Sequence, residues 1–208
     1  MPWIMRAETS DQRELFWSSV DENGDPADHK YITEVHQDGA VIIYKALDEP
    51  DYSPPESMLP LHFRQSTNHK VLPDFMSGSG DTIFVSQKMR TLIEDMDPET
   101  HHYIPITLHT KAGEVIENKY FLFKFGSFID DGIIVDKSQV GPIVIAGKLG
   151  FYSTPARPKL VWKKAKIAGR HVWADCYLKN RFCVSDAFFE EVSRLKIKTF
   201  RAIESFEE

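Results

Sequence analysis

Cysteine is scarce in this chain: Cys176 and Cys183 are the only two in 208 residues. That excludes a disulfide-stapled fold, and the pair is neither a CxxC nor accompanied by the further ligands of a zinc site. Both are read as buried or partly buried thiols that behave as small hydrophobes. Long apolar runs are missing as well. The longest, "AVIIY", "YFLF" and "GIIV", fall far short of the roughly 20 residues needed to cross a bilayer. The opening "MPWIMRAETSDQREL" has no basic segment followed by an apolar one, so it predicts no secretory signal. A reducing, cytoplasmic setting is expected. Positive charge is in deficit, with 25 Lys and Arg against 31 Asp and Glu. The deficit is concentrated at the front, where residues 1–56 hold 13 acidic and 4 basic side chains. Such a segment makes a poor footprint for nucleic acid and a reasonable lure for a basic protein.

Aromatic residues, in contrast, are plentiful. Fourteen Phe, seven Tyr and four Trp supply ample material for a core, and the length suits a single domain over residues 1–208. Within it, residues 1–70 form an acidic N-terminal part and 71–208 the remainder. "SDQRELFWSSVDENGDPADHK" reads as a short helical segment followed by an acidic loop. "YITEV" and "AVIIYKA" read as a hairpin turning on Asp38-Gly39. "LDEPDYSPPESMLP" and "SGSGD" read as loops. "HYIPITL" and "NKYFLFKF" alternate about "TKAGEVIE" as a β-pair, and "GIIV", "GPIVIAG", "KLVWKK", "RHVWADC" and "IKTFRAI" add short strands. Strands outnumber helices without alternating regularly with them. The expected class is therefore α+β, a mixed or antiparallel sheet with few helices.

One construction occurs twice. An apolar run ends in Val85-Ser86 and again in Val184-Ser185, each followed by an amphipathic run and then a further apolar run. Met89, Leu92, Ile93 and Met96, and in the second copy Phe188, Val192 and Leu195, keep helical spacing. Neither serine has the flanking glycines of a nucleophile elbow, and both read as helix N-caps.

Other candidate chemistries fail on spacing. His101 and His102 are neighbours that a strand would point to opposite faces, and no metal set is predicted. Asp21, Asn23 and Asp25 begin like a calcium loop, but Pro26 and Ile32 stand where Gly and a bidentate Glu are needed. "SGSGD" lacks the Lys-Ser/Thr of a phosphate cradle. "RPKLVWKKAKIAGR" (157–170) has six basic residues, no acidic ones and Trp162 among them. It is the best nucleic-acid candidate in the chain, although lysines on a solvated strand read as well. No catalytic constellation emerges, and neither an enzyme nor a cofactor is expected.

The segments that remain as architecture carry a family likeness. "LPDFMSGSGDTIFVSQKMRTLIEDMDPETHHYIPITL", "NKYFLFKF" and "HVWADCYLKNRFCVSDAFFEEVSRLKIKTFRAI" resemble immunity-protein family eleven of the bacterial polymorphic-toxin systems, formerly a domain of unknown function. Pro73, Asp74, Phe75, Val85, Ser86, Pro105, Val184, Ser185 and Asp186 fit its pattern. Thr199 stands where relatives often have Gly. The resemblance covers Leu72 to Ile203 and leaves the first seventy residues unmatched. It implies a cytosolic, non-enzymatic protein that neutralises a cognate toxin, often one delivered by a contact-dependent or type VI secretion system. For the toxin contact, the acidic loop with Asp48, Glu49, Asp51 and Tyr52 is nominated, together with the Asp130-Asp131 pair. Proline stiffens that loop, Tyr52 is a rigid amphipathic contact, and carboxylates would steer a basic partner.

Overall fold

The computed structural model describes residues 1–7, 17–25, 61–66, 72–77, 82–145, 147–197 and 200–208. Two sheets dominate. The first has five strands: β1 (Trp3–Ala7) lies between β14 (Phe200–Glu204) and β13 (Leu178–Val184), and β12 (Val172–Asp175) and β8 (Phe128–Ile129) continue it. The second has six strands in the order β2 (Trp17–Val20), β3 (His62–Gln65), β6 (His102–His109), β7 (Val115–Lys124), β5 (Ile83–Ser86), β4 (Phe75–Ser77). Pairing within these two sheets is antiparallel except for β3 with β6 and β12 with β8. Two smaller pairs flank the five-stranded sheet: β9 (Gly141–Ile145) with β10 (Lys148–Ser153), and β11 (Val161–Trp162) with β15 (Phe206–Glu207), the latter pair also parallel. Helices α1 (Gln87–Met96) and α3 (Asp186–Arg194) follow β5 and β13, and the one-turn α2 (Lys164–Ile167) follows β11. The chain is α+β, with mixed sheets and few helices.

Strand parity sorts the side chains into three cores. Met5, Val85, Phe121, Phe123, Val172, Phe182 and Val184 meet α1 (Met89, Leu92, Ile93) and α3 (Phe188, Val192) in the central core. The alternate residues Met76, Phe84, Tyr120 and Leu122 join Trp17 and Phe63 on the outer face of the six-stranded sheet. Ile4, Trp173 and Cys183 join Leu160, Trp162 and Ile167 on the outer face of the five-stranded sheet. A one-residue slip would exchange these faces, so burial on both sides specifies register strongly. It also explains why residues 120–124 of β7 are buried without interruption: both faces of this strand are covered, and alternation disappears from its burial.

Several sequence expectations need correction. Trp17–Val20, read as helical, is an edge strand paired with β3. "GIIV" is not a strand: Ile133 makes a single bridge to Trp162, and Val135–Lys137 form a 3-10 turn. Only Val161 and Trp162 of "KLVWKK" form a strand before α2 begins. Short segments like these are decided by whichever partner they meet, because local preference is weak over four residues. The expected hairpin around Asp38-Gly39 and both proposed loops, 47–60 and most of 77–81, lie outside the described residues.

Candidate interaction surface

The two serines have the local geometry of caps. Ser86 Oγ accepts from Met89 N at 3.2 Å and donates to Asp74 Oδ1 at 2.6 Å. Ser185 Oγ accepts from Phe188 N at 3.1 Å and lies 2.9 Å from His171 Nδ1. Both residues are extended, with φ near −70°. Each thereby satisfies one of the helix's orphan N–H groups, a contact whose loss costs about 1 kcal/mol. Ser185→Ala should accordingly lower the unfolding free energy by about 1 kcal/mol, read from a urea titration, and leave the fold intact.

A serine beside a histidine invites a catalytic reading. The cleft next to them, of about 280 Å³, is lined by Met1, Lys164, His171, Trp173, Ser185 and Glu207 among others. Its charged groups are already engaged with one another. Asp186 receives Trp3 Nε1 at 2.8 Å and faces the Met1 amino group at 3.7 Å. Lys164 faces Glu207 at 4.0 Å. Ser185 Oγ is bound to the helix end, and the site supports packing and capping.

A buried polar clip joins the two sheets. Asp97, just past α1, accepts from Val172 N at 2.6 Å, the first residue of β12 in the five-stranded sheet, and from His171 N just before it at 3.1 and 3.2 Å. His101 Nε2 lies 3.7 Å from the same carboxylate, too long for a hydrogen bond and close enough for electrostatic attraction. His101 Nδ1 accepts from Gly126 N at 3.2 Å, which leaves the ring proton on Nε2, facing Asp97. Burial alone would raise the Asp97 pKa. The contact with His101 and the two backbone donors outweigh it and hold the carboxyl below its ordinary value. This clip went unnoticed in the sequence because its members are 74 and 75 residues apart.

The histidine expectation agrees with what is seen: His101 is buried and His102 exposed. A second pair, His62 and His109, meets across β3 and β6 with Nδ1 and Nε2 3.2 Å apart. Burial, His62 and Arg64 together lower the His109 pKa. Among the described residues, no three His, Cys, Asp or Glu side chains converge as a metal set. Asp21 Oδ1 accepts from Asn23 N and Asp25 N at 2.9 and 2.8 Å, closing a turn. Cys183 is fully buried, which pushes its thiol pKa up, and Cys176 is half-buried.

Of the six nominated contact residues, Asp48, Glu49, Asp51 and Tyr52 lie outside the described residues. Asp130 and Asp131 form an exposed turn after β8, and Asp131 adopts φ 54°. Its carboxylate accepts from Lys163 Nζ at 2.6 Å, and that contact holds its pKa low.

The basic segment 157–170 is not built for base stacking. Trp162 has no exposed surface, stands edge-on to Trp173 and donates to Ser205 Oγ at 3.2 Å. Lys163 and Lys164 are held by Asp131 and Glu207. What sequence reasoning passed over is the β9–β10 hairpin beside it. Pro142, Ile143 and Val144 are three consecutive exposed residues of β9, and a strand that only served the fold would bury every second one.

Residues 16–205 match the Immunity protein family (Imm11). The chain belongs to this family. The Imm11 match reaches further towards the N-terminus than the motifs between Leu72 and Ile203, and takes in β2 and β3. Membership associates the chain with toxin immunity in general, and a toxin protein is the general partner of such a family. The immunity-protein family is generally non-enzymatic. No helix of the described residues is long and apolar enough to cross a membrane. No curated protein matches the sequence.

Proposed function

We propose that this Imm11 protein binds one cognate toxin and neutralises it by covering or distorting its active site, protecting the cell that makes both. The observation that carries the reading is the family match over residues 16–205. Binding alone suffices for neutralisation, which requires no chemistry of the immunity protein and no cofactor. In this reading the protein acts in the cytoplasm as a single domain over residues 1–208, against a toxin delivered by contact or by a type VI system. The strand, Ser-capped helix and strand that occur around Ser86 and around Ser185 are one construction used twice, one copy serving each sheet. For the contact itself we propose the acidic loop with Asp48, Glu49, Asp51 and Tyr52, with Asp130 and Asp131 as a second acidic point. The loop's support is the −9 balance of residues 1–56, since carboxylates accelerate encounter with a basic partner; Asp130 and Asp131 are supported by their exposure.

The test starts from the adjacent reading frame. If it encodes a large toxin, its inactivated C-terminal domain should co-purify with this chain and bind in calorimetry. No heat at micromolar concentration would remove the reading. Replacing Asp48, Glu49 and Asp51 with Ser should slow association by roughly tenfold at low salt, in line with electrostatic steering. An unchanged on-rate, with folding intact, would exclude the loop.

A further inference from the structure

Residues 137–170 contain eight Lys and Arg and no Asp or Glu, against an overall excess of acid. Inside this stretch, residues 138–147 carry no charge at all. Gly141–Ile145 of this stretch form β9, and Gly147, at φ 78°, stands just before β10. Among the described residues, β9 pairs only with β10. The inner strand β10 is held down: Tyr152 N donates to Tyr177 O at 2.7 Å, and Tyr152 packs against the outer core. The outer strand is not. Ile143 is 38% and Val144 63% exposed, and as neighbours on a strand they point to opposite faces. Both faces of β9 are therefore open at this point, and at Val144 most of the side chain is exposed.

The apolar surface continues at the base of the hairpin. Gln139 N donates to Lys159 O at 2.7 Å, and Gln139 Oε1 accepts from Lys159 N at 3.0 Å. The Lys159 ammonium sits over the Phe206 ring at 5.6 Å, and Phe206 is 41% exposed. Ile143, Val144 and Phe206 thus supply apolar contacts, with Arg157 and Lys159 as the cations of the same stretch. An apolar centre with a charged rim is the anatomy of a protein interface.

We infer that the β9–β10 hairpin and Phe206 form a docking surface for the toxin, and that the toxin meets it with an apolar patch bordered by Asp or Glu. The identity of the partner rests on the immunity reading; the chemistry of the contact rests on the hairpin. Charge decides the occupant. Lys137, Lys163 and Lys164 are paired with Glu208, Asp131 and Glu207, but a second copy pairing hairpin to hairpin would still set Arg157 and Lys159 against their own counterparts, and like charges placed face to face are repelled. Nucleic acid is disfavoured because the centre of the surface is aliphatic, Lys159 already sits over the Phe206 ring, and Trp162 is fully buried.

The experiment measures affinity of the inactivated C-terminal toxin domain from the adjacent frame for wild type, Val144→Asp and Val144→Lys. Val144 is open to solvent, so both variants should keep the wild-type thermal midpoint. Val144→Asp places a carboxylate against an acidic rim and should weaken binding by about tenfold or more, the loss typical of a central interface residue. Val144→Lys should lose less. Arg157→Glu is an independent variant outside any strand, and it should slow association. Equal binding by wild type and all three variants overturns the hairpin assignment and leaves the immunity reading standing. A toxin domain that binds none of them overturns both. A loss in Val144→Lys as large as in Val144→Asp overturns the acidic character of the partner. Binding of a short DNA duplex that Val144→Asp abolishes would give the surface to nucleic acid and overturn the proposal.

Discussion

Replacing Asp97 with Ala should lower the unfolding free energy by about 3 kcal/mol, because the buried Val172 N and the partly buried His171 N lose their acceptor, at a cost of about 1–3 kcal/mol for a buried donor. His171 N and Val172 N have that carboxylate as their acceptor, Val172 opening β12 of the five-stranded sheet and His171 standing just before it, while Asp97 ends a helix rooted in the six-stranded one. The loss therefore falls on the joint between the sheets, and urea titration should show it in the midpoint rather than the slope. The pH dependence has a definite sign. The Asp97 pKa is lower in the folded protein than in an unfolded chain, so its stabilisation is fully present above the ordinary aspartate value and is lost as pH falls through the folded one. Asp175 acts in the opposite direction. Burial raises its pKa despite donors from Tyr177, Leu178 and Gly132, and the stability linked to its proton declines as pH rises through that raised value. Asp97→Asn should flatten the acid limb of a stability–pH curve and leave the Asp175 contribution in place. A variant whose acid limb matches wild type would show that the clip is not the titrating group.

Gly126→Ala is expected to cost about 3 kcal/mol, the upper end for overpacking a rigid site, although it adds one methyl group. An ideal Cβ at Gly126 would sit 1.8 Å from the Thr100 carbonyl oxygen and 3.0 Å from its carbon. The obstacle is backbone, not a side chain that could rotate away. Relief requires β7 and the segment before β6 to separate, and that motion also pulls Gly126 N from His101 Nδ1, now 3.2 Å away. The chemical consequence reaches Asp97 through His101. The two substitutions should therefore be less than additive, because they share one network, and a double variant measured by thermal unfolding checks this. Additive losses would separate the glycine contact from the clip.

Much of this was visible in the sequence, and the reason is distance along the chain. A helix cap is a contact between residues i and i+3, so Val-Ser followed by an amphipathic run predicts both Ser86 and Ser185 from a handful of letters. The helical faces of α1 and α3 follow from spacing alone, and the strands of "HYIPITL" and "RHVWADC" from their apolar runs. The motifs around Pro73, Ser86 and Ser185 belong to the same local layer, and for that reason the family could be read from them. Trp17–Val20 went the other way: four residues carry too little local preference to resist pairing with β3.

What lay beyond reach were contacts whose partners stand far apart. The sequence determined two capped helices, a strand-rich α+β chain, an acidic front and a basic stretch over 137–170. Only the tertiary structure decided that residues 120–124 of β7 are covered on both faces, that Trp162 is buried against Trp173 and so withheld from bases, and that Asp97 clips one sheet to the other. It also decided that β9, as apolar as any core strand, is left open at Ile143 and Val144. The physical reason is that side-chain type sets what a residue can do, whereas burial and partnership depend on which strand lies opposite, and across a sheet that neighbour is set by topology, not by sequence proximity.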